Sequence, residues 1–102
     1  MIAAPQLERM RPGSVLVQTA RGGVVEEEAL YRALAGVRLA GAAVDVFERE
    51  PLGASPLRSL DNVILTPHIA GITYQAAERI TDRTLENVRA HAAGRLPPDL
   101  VG

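Results

Sequence analysis

Residues 39–47 read LAGAAVDVF, and every one of them except Asp45 is apolar or small. A strand that is covered on both faces has this composition, because neither face needs polar residues for contact with water. The run therefore predicts a buried strand of a parallel sheet. A buried carboxylate without a partner is costly, so Asp45 is expected to be either a structural cap or a ligand contact.

Two shorter β-prone runs lie on either side of this strand in the sequence. Ser14–Thr19 precedes Gly22 and Gly23, which permit a sharp exit, and Asn62–Thr66 is halted by Pro67. Long connections separate the three runs, and one of these connections has helical periodicity. This pattern predicts parallel pairing through right-handed crossovers.

Helical periodicity accounts for the remaining long segments. A short helix precedes the first strand, and a second helix starts at Glu26 and is predicted to stop at Gly36 in the C′ position. A longer helix is expected from the N-cap Thr73 to about Ala93, with Gly94 as its stop. The apolar stripe of this helix predicts core packing by Ala77, Ile80, Thr84, Val88 and Ala92. The predicted fold class is α/β, a partial Rossmann-like fold of three parallel strands with flanking helices and a long C-terminal helix.

Composition excludes several classes of function. A chain of 102 residues with 47% hydrophobic residues predicts at most one packed domain. A net charge of -1, without a basic stripe, argues against a nucleic-acid partner. The absence of cysteine excludes disulfides and thiolate metal sites, so we predict no metal centre and expect a reducing cytoplasm. Its apolar runs are shorter than the roughly 20 residues that span a bilayer, so no membrane partner is expected.

Three side chains that suit one reaction follow the predicted strands: Arg21, Glu50 and His68. The carboxyl ends of parallel strands form one edge, where ligands bind. An arginine can hold a substrate carboxylate with two parallel hydrogen bonds, and a histidine can protonate a carbonyl oxygen as hydride arrives. A carboxylate such as Glu50 would fix the tautomer of the ring. We also expect Gly22 and Gly23 to leave room beside Arg21 for a cofactor or substrate.

Three runs of the sequence match the signatures of one family. They read VQTARGG over 17–23, AVDVFEREP over 43–51 and LTPHIAG over 65–71. In order and spacing they resemble the D-isomer-specific 2-hydroxyacid dehydrogenases, and the resemblance covers nearly the whole chain. It implies the C-terminal half of a NAD(P)-binding Rossmann domain over residues 1–96, followed by a tail over 97–102. It also implies an NAD(P)-dependent oxidoreductase that acts on a small D-2-hydroxy or 2-keto acid.

The resemblance assigns a role to each candidate. It implies that Arg21 binds the substrate carboxylate, that His68 is the acid/base, and that Glu50 is the partner of the histidine. The cofactor, NAD or NADP, is expected to contact the chain through its nicotinamide end. The residues implied in that contact are Thr19, Ala20, Arg21, Asp45, His68 and Gly71.

The sequence departs from the family in one respect. Neither the G-x-G-x-x-G turn that holds a pyrophosphate nor an acidic ribose-binding residue occurs within it. We therefore expect a truncated domain that is inactive alone. Three hypotheses remain open: part of a complete dehydrogenase, a non-catalytic remnant or binding module, and one half of a two-chain dehydrogenase. The expected partners are the acid substrate and either a second copy in a homodimer or a complementing chain.

Overall fold

In the computed structural model, which describes residues 1–100, helices and strands alternate along the chain. The helices are α1 (Ala4–Glu8), α2 (Glu27–Ala35) and α3 (Tyr74–Ala92), and the strands are β1 (Ser14–Gln18), β2 (Leu39–Val44) and β3 (Val63–Leu65). A 3-10 helix over Pro56–Ser59 lies in the loop between β2 and β3. Each predicted strand is present and somewhat shorter than expected.

The three strands form one parallel sheet in the order β1-β2-β3. Gln18 at the end of β1 aligns with Val44 of β2, and Val44 aligns with Leu65 of β3. The predicted α/β fold is confirmed. Because the strands run in one direction, their carboxyl ends form a single edge of the sheet, and the candidate residues follow this edge.

The core lies on one side of the sheet. Leu16 and Val44 are buried there, against α1, α2 and the 3-10 helix. The largest fully buried side chains of this core are Leu7, Leu30, Leu34, Leu39 and Leu57. On the other side Val15, Val17 and Ile64 are 63%, 68% and 67% exposed, and we call this surface the outward sheet face. On β2 itself, Gly41 and Ala43 align with these residues and are half-buried, so the predicted coverage of β2 on both faces is met only in part within the residues that the structure describes.

Helix α2 ends at Ala35, but the left-handed C′ position falls at residue 37, one residue beyond the predicted Gly36. Gly36 has an ordinary φ of -79°, whereas Val37 has a left-handed φ of 56°. The Val37 amide donates to the Leu34 carbonyl (3.0 Å) and the Arg38 amide to the Ala33 carbonyl (2.9 Å). These two bonds form a Schellman motif, so Val37 holds the C′ position that glycine usually takes. A β-branched residue adopts this conformation at a cost.

The described residues divide into two compact units, one over Met1–Ala70 and one that begins at Gly71. The second unit contains the predicted long helix. The Thr73 hydroxyl accepts from the Ala76 amide (3.0 Å), and Gly94 has a φ of 68°, so both the predicted N-cap and the predicted stop are confirmed. Within residues 1–100, no helix has the length and apolar character that crossing a membrane requires.

The chain folds back along α3 after the helix ends. The Asp99 carboxylate accepts from Arg83 Nε (3.1 Å) and from Asn87 Nδ2 (3.1 Å), so this segment binds to the polar side of the helix. On the apolar stripe, Ile80 and Val88 are exposed. The predicted core packing of the stripe is therefore not found within this unit. Residues 101 and 102 of the predicted tail lie outside the described part of the chain, and the boundary at residue 96 stays a prediction.

Candidate active site

The predicted functional residues follow the common carboxyl edge of the sheet. Arg21 lies shortly after β1, Asp45 directly after β2, and His68 shortly after β3. Backbone bonds continue beyond the strands, because the Asp45 amide donates to the Gln18 carbonyl (2.9 Å) and the His68 amide donates to the Asp45 carbonyl (2.8 Å). These bonds extend the sheet and fix the backbone of Asp45 and His68.

The ring of His68 is paired with Glu50. His68 Nδ1 lies 2.7 Å from Glu50 Oε2, and Glu50 Oε1 accepts from the Phe47 amide (3.0 Å). The hydrogen bond with His68, followed by the bond with Phe47, holds the pKa of the Glu50 carboxyl below its ordinary value. An ionised carboxylate can only accept, so Nδ1 carries the hydrogen, and Nε2 has no hydrogen-bond partner among residues 1–100. The predicted contact between the two side chains is present, and their catalytic roles stay predictions.

Asp45 is buried, and the loop after β3 is bound to its carboxylate. Oδ1 accepts from the Thr66 hydroxyl (2.5 Å) and from the Ile69 amide (2.9 Å), and Oδ2 accepts from the Ala70 amide (2.9 Å). The hydrogen bond from the Thr66 hydroxyl is the largest cause of the lowered pKa of Asp45. The bonds from the two amides lower the pKa further, whereas burial raises it. Asp45 therefore acts as a structural cap. The predicted contact of Asp45 with a nicotinamide stays a prediction.

Gln18 holds the loop that carries Arg21 and was not among the predicted site residues. Gln18 is 6% exposed; its Nε2 donates to the Arg21 carbonyl (2.9 Å) and its Oε1 accepts from the Ala20 amide (3.3 Å). Its position two residues after the buried Leu16, on the inward side of β1, was the available signal.

The Arg21 guanidinium is exposed and donates through Nη1 to the Ala20 carbonyl (2.8 Å). Among residues 1–100, no acidic side chain forms an ion pair with it. Its positive charge is therefore available to an anionic ligand.

Gly22 has a different role from the one expected. A Cβ on Gly22 would lie 1.8 Å from the Phe47 carbonyl oxygen, so the space beside Gly22 is filled by the chain's own backbone. The prediction that Gly22 leaves room for a cofactor or substrate is wrong. Gly23 has a left-handed φ of 76°, a conformation that favours glycine, so the turn itself accounts for the glycine at that position.

A cleft of about 460 Å³ opens beside the His68 ring. Its walls are mainly apolar and also carry the hydrogen-bonded pair Glu50 and His68 and one cation; they include Phe47, Glu50, Leu52, Arg58, Thr66 and His68. Clefts of this size and character hold small ligands. Thr19, Ala20 and Gly71 are exposed, and their predicted contacts with the cofactor stay predictions.

Comparison with known proteins identifies the family. Residues 1–70 match the model of the D-isomer specific 2-hydroxyacid dehydrogenase, NAD binding domain. A glyoxylate reductase of Korarchaeum cryptofilum is 44% identical over 102 residues, which are 99% of this chain and 31% of that protein. An (S)-sulfolactate dehydrogenase of Chromohalobacter salexigens is 50% identical over 90 residues, or 87% of this chain and 29% of that protein. The chain thus spans about a third of the length of these relatives.

A solved structure gives the same result at the level of the fold. A D-isomer specific 2-hydroxyacid dehydrogenase from Xanthobacter autotrophicus Py2, in complex with NADPH and MES, has a TM-score of 0.86 and 39% sequence identity. The match covers 97% of this chain and 40% of that one. It confirms the partial Rossmann-like fold, and the predicted cofactor class, NAD or NADP, is confirmed for the family. The chain belongs to the D-isomer specific 2-hydroxyacid dehydrogenase family, in the NAD-binding domain.

Proposed function

We propose that this chain carries the proton-transfer and carboxylate-binding residues of an NAD(P)-dependent reductase of small 2-keto acids, of the glyoxylate type. The observation that supports the proposal most directly is the 2.7 Å hydrogen bond between His68 Nδ1 and Glu50 Oε2. It orients the ring and leaves Nε2 without a partner among residues 1–100. An imidazole prepared in this way is suited to moving one proton at a fixed position.

In the proposed reaction, His68 Nε2–H donates its proton to the carbonyl oxygen of the keto acid. The ionised Glu50 accepts the Nδ1–H of the ring and orients the imidazolium for this transfer. Bound NADH or NADPH would supply the hydride to the carbonyl carbon. In the reverse direction, neutral His68 accepts the proton of the hydroxyl group. Glu50 acts through the ring and is a positioning residue in this scheme.

Arg21 is proposed to bind the carboxylate of the same substrate. A guanidinium can make two parallel hydrogen bonds to a carboxylate, which fixes the position of the neighbouring carbonyl. The exposed charge of Arg21, without an acidic partner in the described chain, supports this role. Gln18 contributes indirectly by holding the Arg21 backbone.

The nicotinamide end of the cofactor is proposed to lie at the carboxyl edge of the sheet. Thr19 and Ala20 are exposed there, which fits such a ligand. Asp45 fits less completely, because three donors from its own chain already bind its two oxygens and its side chain is buried. The contacts that we propose are Thr19, Ala20, Arg21, Asp45, His68 and Gly71.

A complementing polypeptide segment is proposed to complete the site. The 102 residues contain no Gly-rich pyrophosphate turn, and the chain spans about a third of its relatives. The outward sheet face of Val15, Val17 and Ile64 is apolar and exposed, which supports its coverage by additional structure. The segment belongs either to the same polypeptide or to a separate chain, and a homodimer is a further option. A non-catalytic binding module is the alternative if neither is found.

A hybrid enzyme tests the proposed function. The segment of the Korarchaeum cryptofilum glyoxylate reductase that matches this chain is replaced by residues 1–102, and glyoxylate-dependent NADPH and NADH oxidation is measured. We expect activity, a loss of kcat of about 10²–10⁴-fold in His68→Gln, and a rise in KM of about 10-fold or more in Arg21→Lys.

His91→Gln is the matched control, because His91 is an exposed histidine on α3, and it should keep the parent activity. A hybrid that folds and binds NADPH but turns over equally well with Gln at position 68 would exclude the proposed role. If the hybrid folds but binds no dinucleotide, the result favours the binding-module alternative.

A further inference from the structure

The loop that carries His68 is wrapped around the Asp45 carboxylate. The three donors to this carboxylate come from both sides of His68: the Thr66 hydroxyl before it, and the Ile69 and Ala70 amides after it. Asp45 is only 3% exposed, and its three bonds are partly buried. The carboxylate thus fixes the loop at two points, with the histidine between them.

The backbone of His68 needs this support because of its conformation. Its φ of 55° lies in the left-handed region, which residues with a side chain rarely adopt. The His68 amide donates to the carbonyl of Asp45 (2.8 Å), so the same aspartate holds the residue through its main chain. Without the Asp45 contacts, the loop would be expected to relax and move the ring away from Glu50.

Thr66 has two separable functions in this arrangement. Its amide donates to the Val44 carbonyl (3.0 Å) and continues the sheet, whereas its hydroxyl donates to Asp45 Oδ1 (2.5 Å). Replacing the hydroxyl by a methyl group keeps the shape and the sheet bond and removes only the second contact. The hydroxyl is also the largest of the influences that keep the Asp45 pKa low, which is consistent with a strong bond.

We propose that Thr66 is a positioning residue, whose hydroxyl orients the Asp45 carboxylate so that the loop holds the His68 ring against Glu50. This inference rests on the proposed function for its catalytic meaning. The placement of the ring itself can be measured without any turnover.

The test compares Thr66→Val with Thr66→Ser in the 102-residue chain by NMR. Amide exchange at Ile69 and Ala70 reports the loop, and long-range ¹⁵N spectra report which nitrogen of His68 carries the hydrogen, with His91 as an internal reference. We expect exchange at both amides to rise about tenfold or more in Thr66→Val. We also expect the Nδ1–H form of His68 to lose its dominance, and Thr66→Ser to behave like the parent.

Two results would overturn the inference: a Thr66→Val chain with unchanged exchange and ring tautomer, or a Thr66→Ser chain that behaves like Thr66→Val. If Thr66→Val does not fold, Thr66→Ala against Thr66→Ser supplies the same comparison of a missing with a retained hydroxyl. In the hybrid enzyme, Thr66→Val should lower kcat about tenfold with little change in KM, and Thr66→Ser should restore it. An inactive parent hybrid would reject the proposed function and leave the NMR result on ring placement standing.

Discussion

Glu50 and His68 are joined at 2.7 Å although they are mounted on different loops, one after β2 and one after β3. The pair therefore forms only when the two strands are correctly aligned. Together with the bonds from the β3 loop to Asp45, it makes the carboxyl edge of the sheet dependent on two ionised carboxylates.

Acid is expected to destabilise the chain through these carboxylates. The pKa values of Asp45 and Glu50 are lower in the folded chain than their ordinary values of 3.8 and 4.5, so the unfolded state binds protons first as pH falls. Their contribution to the free energy of unfolding is present above about pH 4.5 and is lost as pH falls toward the folded pKa values. Urea unfolding at a series of pH values measures this loss. Glu50→Gln should make the acid dependence less steep, whereas Glu78→Gln, at an exposed position of α3, should leave it unchanged.

Gly22→Ala is expected to destabilise the chain by about 3 kcal/mol or more, because the new Cβ would overlap the Phe47 carbonyl, which is main chain and cannot rotate away. Gly53→Ala is the matched control, since no atom lies within 4 Å of its added Cβ and its φ is not left-handed. Thermal unfolding of both variants decides the point. Equal stability of the two would show that the close approach of the loops is not present in solution.

Val37→Gly is expected to stabilise the chain by about 0.5–1 kcal/mol. Removal of the side chain relieves the left-handed conformation, and the greater freedom of glycine in the unfolded chain offsets part of the gain. Gly94 holds the equivalent C′ position after α3, so Gly94→Ala should destabilise by about 1 kcal/mol although space around it is open. Chemical denaturation of the two variants should give changes of opposite sign. A destabilised Val37→Gly chain would contradict the assigned Schellman motif.

Gln18→Leu is expected to cost about 1–3 kcal/mol, because it leaves the Ala20 amide and the Arg21 carbonyl without their side-chain partner. The loop should loosen first, which faster amide exchange at Ala20 would reveal. Gln75→Leu, at an exposed position near the start of α3, provides the same chemical change on the surface and should have little effect. Unchanged exchange at Ala20 in Gln18→Leu would mean that the glutamine does not hold the loop.

The sequence predicts the strands and the position of the site more fully than the side-chain contacts within the site. Apolar runs and their spacing predict the parallel sheet, and the order of the strands then places Arg21, Asp45 and His68 at one edge. The partners of buried polar groups are harder to foresee, because the donors to Asp45 lie on another strand's loop. The spacing of Gln18 from Leu16 indicates its burial but not the backbone groups that it binds. The left-handed conformation of Val37 was not predicted, because glycine is favoured in that conformation and Gly36 was available. The two hydrogen bonds that end α2 place the left-handed residue at position 37 instead.

The bonds that continue past the strand ends also limit how the chain can vary in length. Asp45 binds Gln18, and His68 binds Asp45, so an inserted residue beside any of them would break the alignment of all three. The segment around the exposed Ala54 carries no such bond. Insertions and deletions among related chains should therefore occur mainly near position 54, within the long loop after β2, whereas the short segments directly after β1, β2 and β3 that carry these bonds should keep a constant length.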